Sequence, residues 1–163
     1  MNLVPIKNYQ NYSFDLNSNQ VYNTKYKRYL KISSNNNGYY KIRLRENSKD
    51  KTFLFHRLVY EIYKGEIPKG LCIDHIDNNT ENNNIDNLRL ATYSQNCCNR
   101  LTAKTNKSTG YKNIRFRNNK YEVNITKNNK KFIYSNKFKT LEEAIENRDI
   151  QLKLIHGQFH NLG

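Results

Sequence analysis

The 163-residue chain contains no apolar run approaching the ~20 residues that span a bilayer, and its first residues lack the hydrophobic stretch of a signal peptide. Its three cysteines, Cys72, Cys97 and Cys98, form no Cys-x-x-Cys pair. Adjacent Cys97 and Cys98 are poorly disposed to bond one another, so neither a disulfide framework nor a structural zinc site is indicated. Together these absences point to an intracellular, reducing compartment. Hydrophobic residues make up only 36% of the chain, too few for one large core, and several small modules fit better. None of the usual RNA-binding motifs appears. Acidic residues are scarce as well: 14 Asp and Glu stand against 28 Lys and Arg, a formal net charge of +14. A polyanionic partner is the direct reading of that balance, and a generic basic surface the plainer one.

The excess charge is unevenly placed. Residues 1–50 hold nine Lys and Arg against three acids, residues 51–100 six against six, and residues 101–163 thirteen against five. Two basic flanks therefore enclose a neutral centre. Asparagine is so abundant, at twenty-eight residues, that an isolated one says little and only spacing gives it meaning.

The neutral centre carries the chemistry. Asp74 and His75 end a short apolar run, Leu71-Cys72-Ile73, and amide side chains recur twelve and then nine residues later at Asn87 and Asn96. Phosphodiester hydrolysis needs a base to deprotonate water and a cation to hold charge on the phosphate. His75 suits the first role, while Asp74 and Asn96 offer the hard oxygens that Mg²⁺ prefers. Asp77 is a rival carboxylate, although it falls in the expected Asp77-Asn78-Asn79 turn. Arg89 and Arg100 are candidates for phosphate near the cut. His56, at the start of a helix, is open between a DNA or catalytic role and simple capping or packing.

The segment from Phe55-His56-Arg57-Leu58-Val59 through Asp74-His75, Asn87-Leu88-Arg89 and Asn96 resembles the HNH endonucleases, especially the homing type. The resemblance covers about fifty residues of this chain. It implies a ββα-metal finger in which His75 is the general base, Asp74 and Asn96 bind one divalent cation, and Asn87 fixes the His75 loop. Asn96 stands where the commonest form has histidine, which favours Mg²⁺ or Mn²⁺ over Zn²⁺. Some relatives brace the fold with a four-cysteine zinc site, which this sequence lacks. Double-stranded DNA is the implied partner, with no membrane, and the protein is expected to act as a monomer.

Around this centre the hydrophobic pattern predicts an α+β chain of modules. Residues 1–50 form a strand-rich DNA-binding module: Tyr12–Leu16, Gln20–Tyr22, Tyr29–Ile32 and Tyr40–Arg45 read as strands. In the last of these, Tyr40, Ile42 and Leu44 face one way, and Lys41, Arg43 and Arg45 offer a cationic face to phosphates. Residues 51–101 form the nuclease domain, with a helix from His56 to Lys64 and a second from Gln95 to about Leu101 capped by Ser94. Residues 102–110, with Lys104 and Lys107, read as a linker. Residues 111–163 then read as a three-stranded antiparallel sheet packed on one helix. Its strands are Tyr111–Arg117, Lys120–Thr126 and Lys131–Ser135, turning at Asn118-Asn119 and Asn128-Asn129. Ile114, Phe116, Tyr121, Val123, Ile125 and Ile133 are expected beneath a helix that opens on a Thr140–Glu143 capping box and stops at Gly157.

The C-terminal pattern resembles the Apetala-two/ethylene-response-factor DNA-binding domain, through Phe138-Lys139-Thr140-Leu141-Glu142-Glu143-Ala144 and His156-Gly157-Gln158-Phe159-His160-Asn161-Leu162. That resemblance implies a sheet entering the major groove, with Lys112, Arg115, Arg117, Asn124, Thr126, Tyr134 and Lys137 as contacts. The family's usual Trp positions hold Tyr here. The whole sequence therefore predicts a site-specific, metal-dependent DNA endonuclease of homing type. A DNA-binding regulator with a decayed nuclease centre and an RNA-binding protein are the alternatives.

Overall fold

In the computed structural model, the described residues are 1–99, 108–127 and 130–160, with the backbone alone described at Lys127 and at positions 130–137. Arg100, Lys104, Lys107, the Asn128-Asn129 turn, Asn161-Leu162 and the side chains of Ile133, Tyr134 and Lys137 lie outside the described residues. The fold is α+β, built from small antiparallel sheets and a few helices, and it divides into two compact units, Met1–Leu90 and Ala91–Gly163.

The first unit begins with a four-stranded meander of β1 (Leu3–Pro5), β2 (Tyr12–Asp15), β3 (Gln20–Asn23) and β4 (Arg28–Tyr29). The expected Tyr29–Ile32 strand is instead split: β4 ends at Tyr29, and β5 occupies Ser33–Ser34 in the next sheet. That second sheet runs β5, β6 (Tyr40–Glu46) and β7 (Lys49–Leu54). Asn47 and Ser48 both take positive φ between β6 and β7, the geometry of a two-residue hairpin turn. Position 50 therefore falls inside β7, and strands on both sides of it share one core. The alternation in β6 is as the sequence implies, with Ile42 and Leu44 buried while Arg43 and Arg45 are exposed.

Helix α1 (Phe55–Lys64) lays Phe55, Leu58 and Val59 into that core, at the i, i+3, i+4 spacing that puts side chains on one helical face. Gly65, at φ 88°, stops it, and Lys64 sits in the last turn, where a cation complements the helix dipole. The core gathers Phe14, Val21, Ile42, Leu44, Phe55, Leu58, Val59, Ile73 and Leu88. Each such side chain contributes about 1.5–3 kcal/mol on burial. One apolar core thus positions β8 (Leu71–His75) and its partner β9 (Leu88–Thr92), which form a two-stranded sheet.

The second unit opens with α2 (Tyr93–Asn99). The helix starts two residues earlier than a Ser94 cap requires. Thr92 Oγ1 accepts from Gln95 N (3.2 Å), and Gln95 Oε1 accepts in return from Thr92 N (2.8 Å). The C-terminal sheet follows as β10 (Ile114–Arg117), β11 (Lys120–Lys127) and β12 (Lys130–Phe138), covered by α3 (Leu141–His156). Asn118 and Asn119 turn the first hairpin at positive φ. Ile114, Val123 and Ile125 are buried with Ala144 and Leu152, but Phe116, expected inside, is 45% exposed and packs its ring on Tyr121. It lies beside the turn, past the reach of α3's buried stripe. The backbone register pairs Val123 with Tyr134 and Asn124 with Ile133, one residue out of the expected alternation, with a bulge between Tyr121 and Val123. The α3 capping box forms as expected, and Gly157 ends the helix at φ 56°. No helix among the described residues is long and apolar enough to cross a membrane.

Candidate active site

Asp74 and His75 are the last two residues of β8, both buried, at 3% and 5% exposure. A polar pair at the end of an apolar strand is costly to bury unless each member is partnered, and here each is.

His75 Nε2 lies 3.2 Å from Asn83 Oδ1. The amide orientation of Asn83 is fixed because its Nδ2 donates to the Glu81 carbonyl at 3.0 Å. Oδ1 therefore faces the imidazole as an acceptor, and Nε2 is the ring nitrogen placed to donate to it. Asn83 is itself held from the turn between β2 and β3, where Asn19 Nδ2 donates to its carbonyl at 3.2 Å. Two further rings confine His75: His56, at 5.1 Å between centroids, and Tyr39, at 6.0 Å. Tyr39 follows Gly38, whose carbonyl accepts from Thr80 Oγ1 at 2.9 Å. Gly38 has φ +77°, and a Cβ there would meet Thr80 Oγ1 at 3.2 Å, so the close approach and the backbone both call for glycine.

Asp74 is gripped by Arg89 from β9. Nε and Nη2 both reach Asp74 Oδ2 at 2.7 Å. Arg89, expected at a phosphate, thus turns its guanidinium on the carboxylate, because a desolvated Asp needs a charge partner within reach and the β8–β9 pairing supplies it. Arg89 positions Asp74.

Asn87 closes the loop that follows His75. Its Oδ1 accepts from Asp77 N (3.0 Å), while Nδ2 donates to Asp77 Oδ1 (2.9 Å) and to the Asn82 carbonyl (2.8 Å). Its backbone carbonyl takes the N–H of Ile76, the residue after His75. Asp77, the rival carboxylate, organises this turn. Burial alone would raise its pKa, but hydrogen bonds from Asn82, the Asn79 amide and Asn87 outweigh it and hold the carboxyl below its usual value.

His56 is 5% exposed, and its Nδ1 has no hydrogen-bond partner among the described residues. Burial, followed by the neighbouring His75 and Arg57, lowers its pKa to about 4. It is therefore a neutral ring packed on His75. Asn83 and Tyr39 were missed in the sequence. Asn83 sits in an Asn82-Asn83-Asn84 run where nothing distinguishes the middle residue, and Tyr39 lies thirty-six residues before His75.

The other expected residues are placed as follows. Asn96 is half-buried on α2, in the second unit. Arg43 and Arg45 project from β6 and Lys41 is half-buried, with Asp50 3.9 Å from Arg45. Arg115, Arg117 and Thr126 are exposed and Asn124 is half-buried. Glu122 pairs opposite Arg115, an acid within a face read as basic. Lys112 instead donates through Nζ to the Cys98 carbonyl at 2.8 Å, at the C-terminal end of α2. His156 lies 3.9 Å from Cys98 Sγ on α2, and His160 Nδ1 contacts the nearby Gly157 carbonyl.

Residues 53–97 match the family model of the HNH endonuclease. The uncharacterised HNH endonuclease L560 of Acanthamoeba polyphaga mimivirus is 35% identical over 105 residues, 64% of this chain and 54% of that protein. The DNA endonuclease I-HmuI of Bacillus phage SP01 is 36% identical over 100 residues, 61% of this chain and 58% of that protein. The chain thus matches little more than half the length of these relatives. A solved structure described as DNA binding and cleavage by the HNH homing endonuclease I-HmuI superposes with a TM-score of 0.57 at 27% identity, covering 97% of this chain and 91% of that one. The motif expected from spacing, the site built at the end of β8 and these similarities coincide on one segment, residues 53–97, which is similar to the HNH endonucleases.

Proposed function

We propose that the chain is a site-specific, metal-dependent endonuclease of the homing type acting on double-stranded DNA. The observation that carries this reading is the placement of His75: its Nε2 faces Asn83 Oδ1, at the end of the strand that also presents Asp74, and Nδ1 is the ring nitrogen proposed as the base. In the proposed reaction His75 Nδ1 takes a proton from water as the water oxygen bonds to phosphorus. The bond to the 3′-oxygen breaks and that oxygen takes a proton from solvent water, leaving 5′-phosphate and 3′-hydroxyl ends. Asn87 holds the loop after His75, and His56, Tyr39 and Asn83 hold the ring.

Asp74 and Asn96 are the proposed ligands of one Mg²⁺ or Mn²⁺, a pairing that rests on the family resemblance. Their chemistry fits: both offer hard oxygens, the donor type that Mg²⁺ and Mn²⁺ favour. Magnesium is commonly held by one or two side-chain oxygens, with water and phosphate completing its shell. When bound, the cation supplies charge stabilisation at the scissile phosphate and the leaving oxygen.

Residues 111–163 are the proposed reader, resembling the Apetala-two-type domain, with Arg115, Arg117, Asn124 and Thr126 on the sheet face away from α3. Lys41, Arg43 and Arg45 add a phosphate-facing strand in the N-terminal module. The test is selection of cleaved molecules from a random duplex library in Mg²⁺. The reading requires recovery of one related set of sites, and a library left intact contradicts it.

A further inference from the structure

The tip of the β3–β4 hairpin carries a group of residues that the nuclease centre does not use. Lys25, Tyr26, Lys27 and Arg28 are consecutive and all exposed, Tyr26 at 64%. Lys25 Nζ lies 5.6 Å and Arg28 Cζ 5.9 Å from the ring centroid, so the aromatic face is flanked by two cations.

The tip is held in place. Asn23, 4% exposed, accepts the Tyr26 N–H on Oδ1 at 2.9 Å, and Thr24 N donates to the Asn11 carbonyl at 2.9 Å. Lys27 takes φ 50° to complete the turn. Just below, the rings of Tyr22 and Tyr29 pack at 5.2 Å, and the Tyr29 hydroxyl donates to buried Asp15 at 2.6 Å. Asp15 also accepts from Asn2 N, Asn17 N and Ser18 Oγ. Beside the tip lies a cavity of about 320 Å³ lined by Asn11, Asn23, Lys25, Tyr26, Arg45 and Glu46, among others.

A large ring exposed on a braced turn gains little from the core beneath it, and three neighbouring cations repel one another unless a polyanion neutralises them. Duplex DNA answers both features. A two-stranded ribbon fits a groove, Lys and Arg bind the flanking phosphates, and an aromatic ring stacks on a base or wedges a base step. Resting on the endonuclease reading above, we propose that this hairpin is a DNA-inserting finger, with Tyr26 against a base step and Lys25, Lys27 and Arg28 on the adjacent phosphates.

The test uses the full chain and random-sequence duplex DNA, with affinity measured across a range of salt. Tyr26→Ala is expected to weaken binding roughly five- to hundredfold, the loss of one base stack, without changing the salt slope. Tyr26→Phe retains wild-type affinity. The double variant Lys25→Ala/Lys27→Ala flattens the slope by about 0.9 for each phosphate that the protein no longer neutralises. All variants should melt as wild type, since these side chains are exposed. If the wild type binds and cleaves duplex DNA while Tyr26→Ala binds equally well, the finger is overturned and the endonuclease reading stands. If the wild type neither binds nor cleaves duplex DNA, both fall. A Tyr26→Ala loss that Phe does not rescue also overturns the stacking role.

Discussion

The imidazole of His56 stands edge-on to that of His75, with centroids 5.1 Å apart and ring planes at 75°. The pair is buried, and Tyr39 lies 5.2 Å from the first ring and 6.0 Å from the second. His56 acts here as a wall for the proposed base. Its Nδ1, without a hydrogen-bond partner among the described residues, is a buried polar atom whose desolvation costs about 1–3 kcal/mol. His56→Phe keeps the wall and removes that atom, so unfolding stability should be unchanged or higher, with kcat retained. His56→Ala should lower both the melting temperature and kcat, with little change in KM. Loss of kcat in a stable His56→Phe protein would show that the imidazole itself takes part in the chemistry.

The same burial sets a pH dependence. The folded-state pKa of His56 is about 4, below its ordinary 6.5, so the unfolded chain binds the extra proton between those values. Stability attributable to His56 is complete above pH 6.5 and declines as pH falls toward 4, by on the order of 2–3 kcal/mol. Asp15, held at about 2 chiefly by the Tyr29 hydroxyl against the opposing effect of burial, acts lower. Its contribution is present above pH 3.8 and is lost as pH falls through 2. Denaturant titrations from pH 7 to 2 should show both declines, and His56→Phe should remove only the upper one.

Arg89 and Asp74 form a desolvated pair, with side chains 14% and 3% exposed. Removing the guanidinium leaves a buried carboxylate uncompensated, which costs about 3–5 kcal/mol. Arg89→Ala should therefore destabilise the protein by that amount in chemical denaturation at pH 7, with Arg89→Lys only partly restoring it, because an ammonium lacks the Nε–Nη2 fork. If Arg89 served phosphate alone, Arg89→Ala would weaken DNA binding and leave stability untouched.

Legibility in the sequence followed the range of the interaction. The alternation of Ile42 and Leu44 with Arg43 and Arg45, the 3.6-residue stripe of Leu58 and Val59, and the Thr140–Glu143 capping box are local patterns, and the structure reproduces them. Asp74, His75 and Asn87 were singled out through their spacing, and the fold sets Asn87 against the loop that follows His75. What the sequence could not display were partners brought in by the tertiary fold: Asn83 on His75, Arg89 on Asp74, and Tyr39 across thirty-six residues. Phe116 was misjudged because period-two alternation says which face a residue occupies but not how far a covering helix extends. The Ser94 cap failed for a related reason: Thr92 and Gln95 form the reciprocal pair, and their register matters more than the presence of a serine.

Arg115 and Arg117 project from β10, and Glu122 lies opposite Arg115 in the sheet register. A base-edge contact discriminates by about 1–3 kcal/mol, whereas a phosphate contact weakens all sequences alike. Arg115→Ala should relax preference at one or two base pairs among cleaved sites selected from a random library. Uniform loss across all sites would assign Arg115 to the backbone.

Cleavage of supercoiled plasmid in Mg²⁺, by the wild type and by His75→Ala, tests the central assignment most directly. The wild type should convert plasmid to nicked or linear product and stop when a chelator is added. His75→Ala should slow that conversion roughly 10²–10⁴-fold, the contribution of a positioned base, while binding duplex DNA as before. Near wild-type nicking by His75→Ala would contradict the role of His75 as base, and cleavage that persists in chelator would contradict the metal-dependent mechanism.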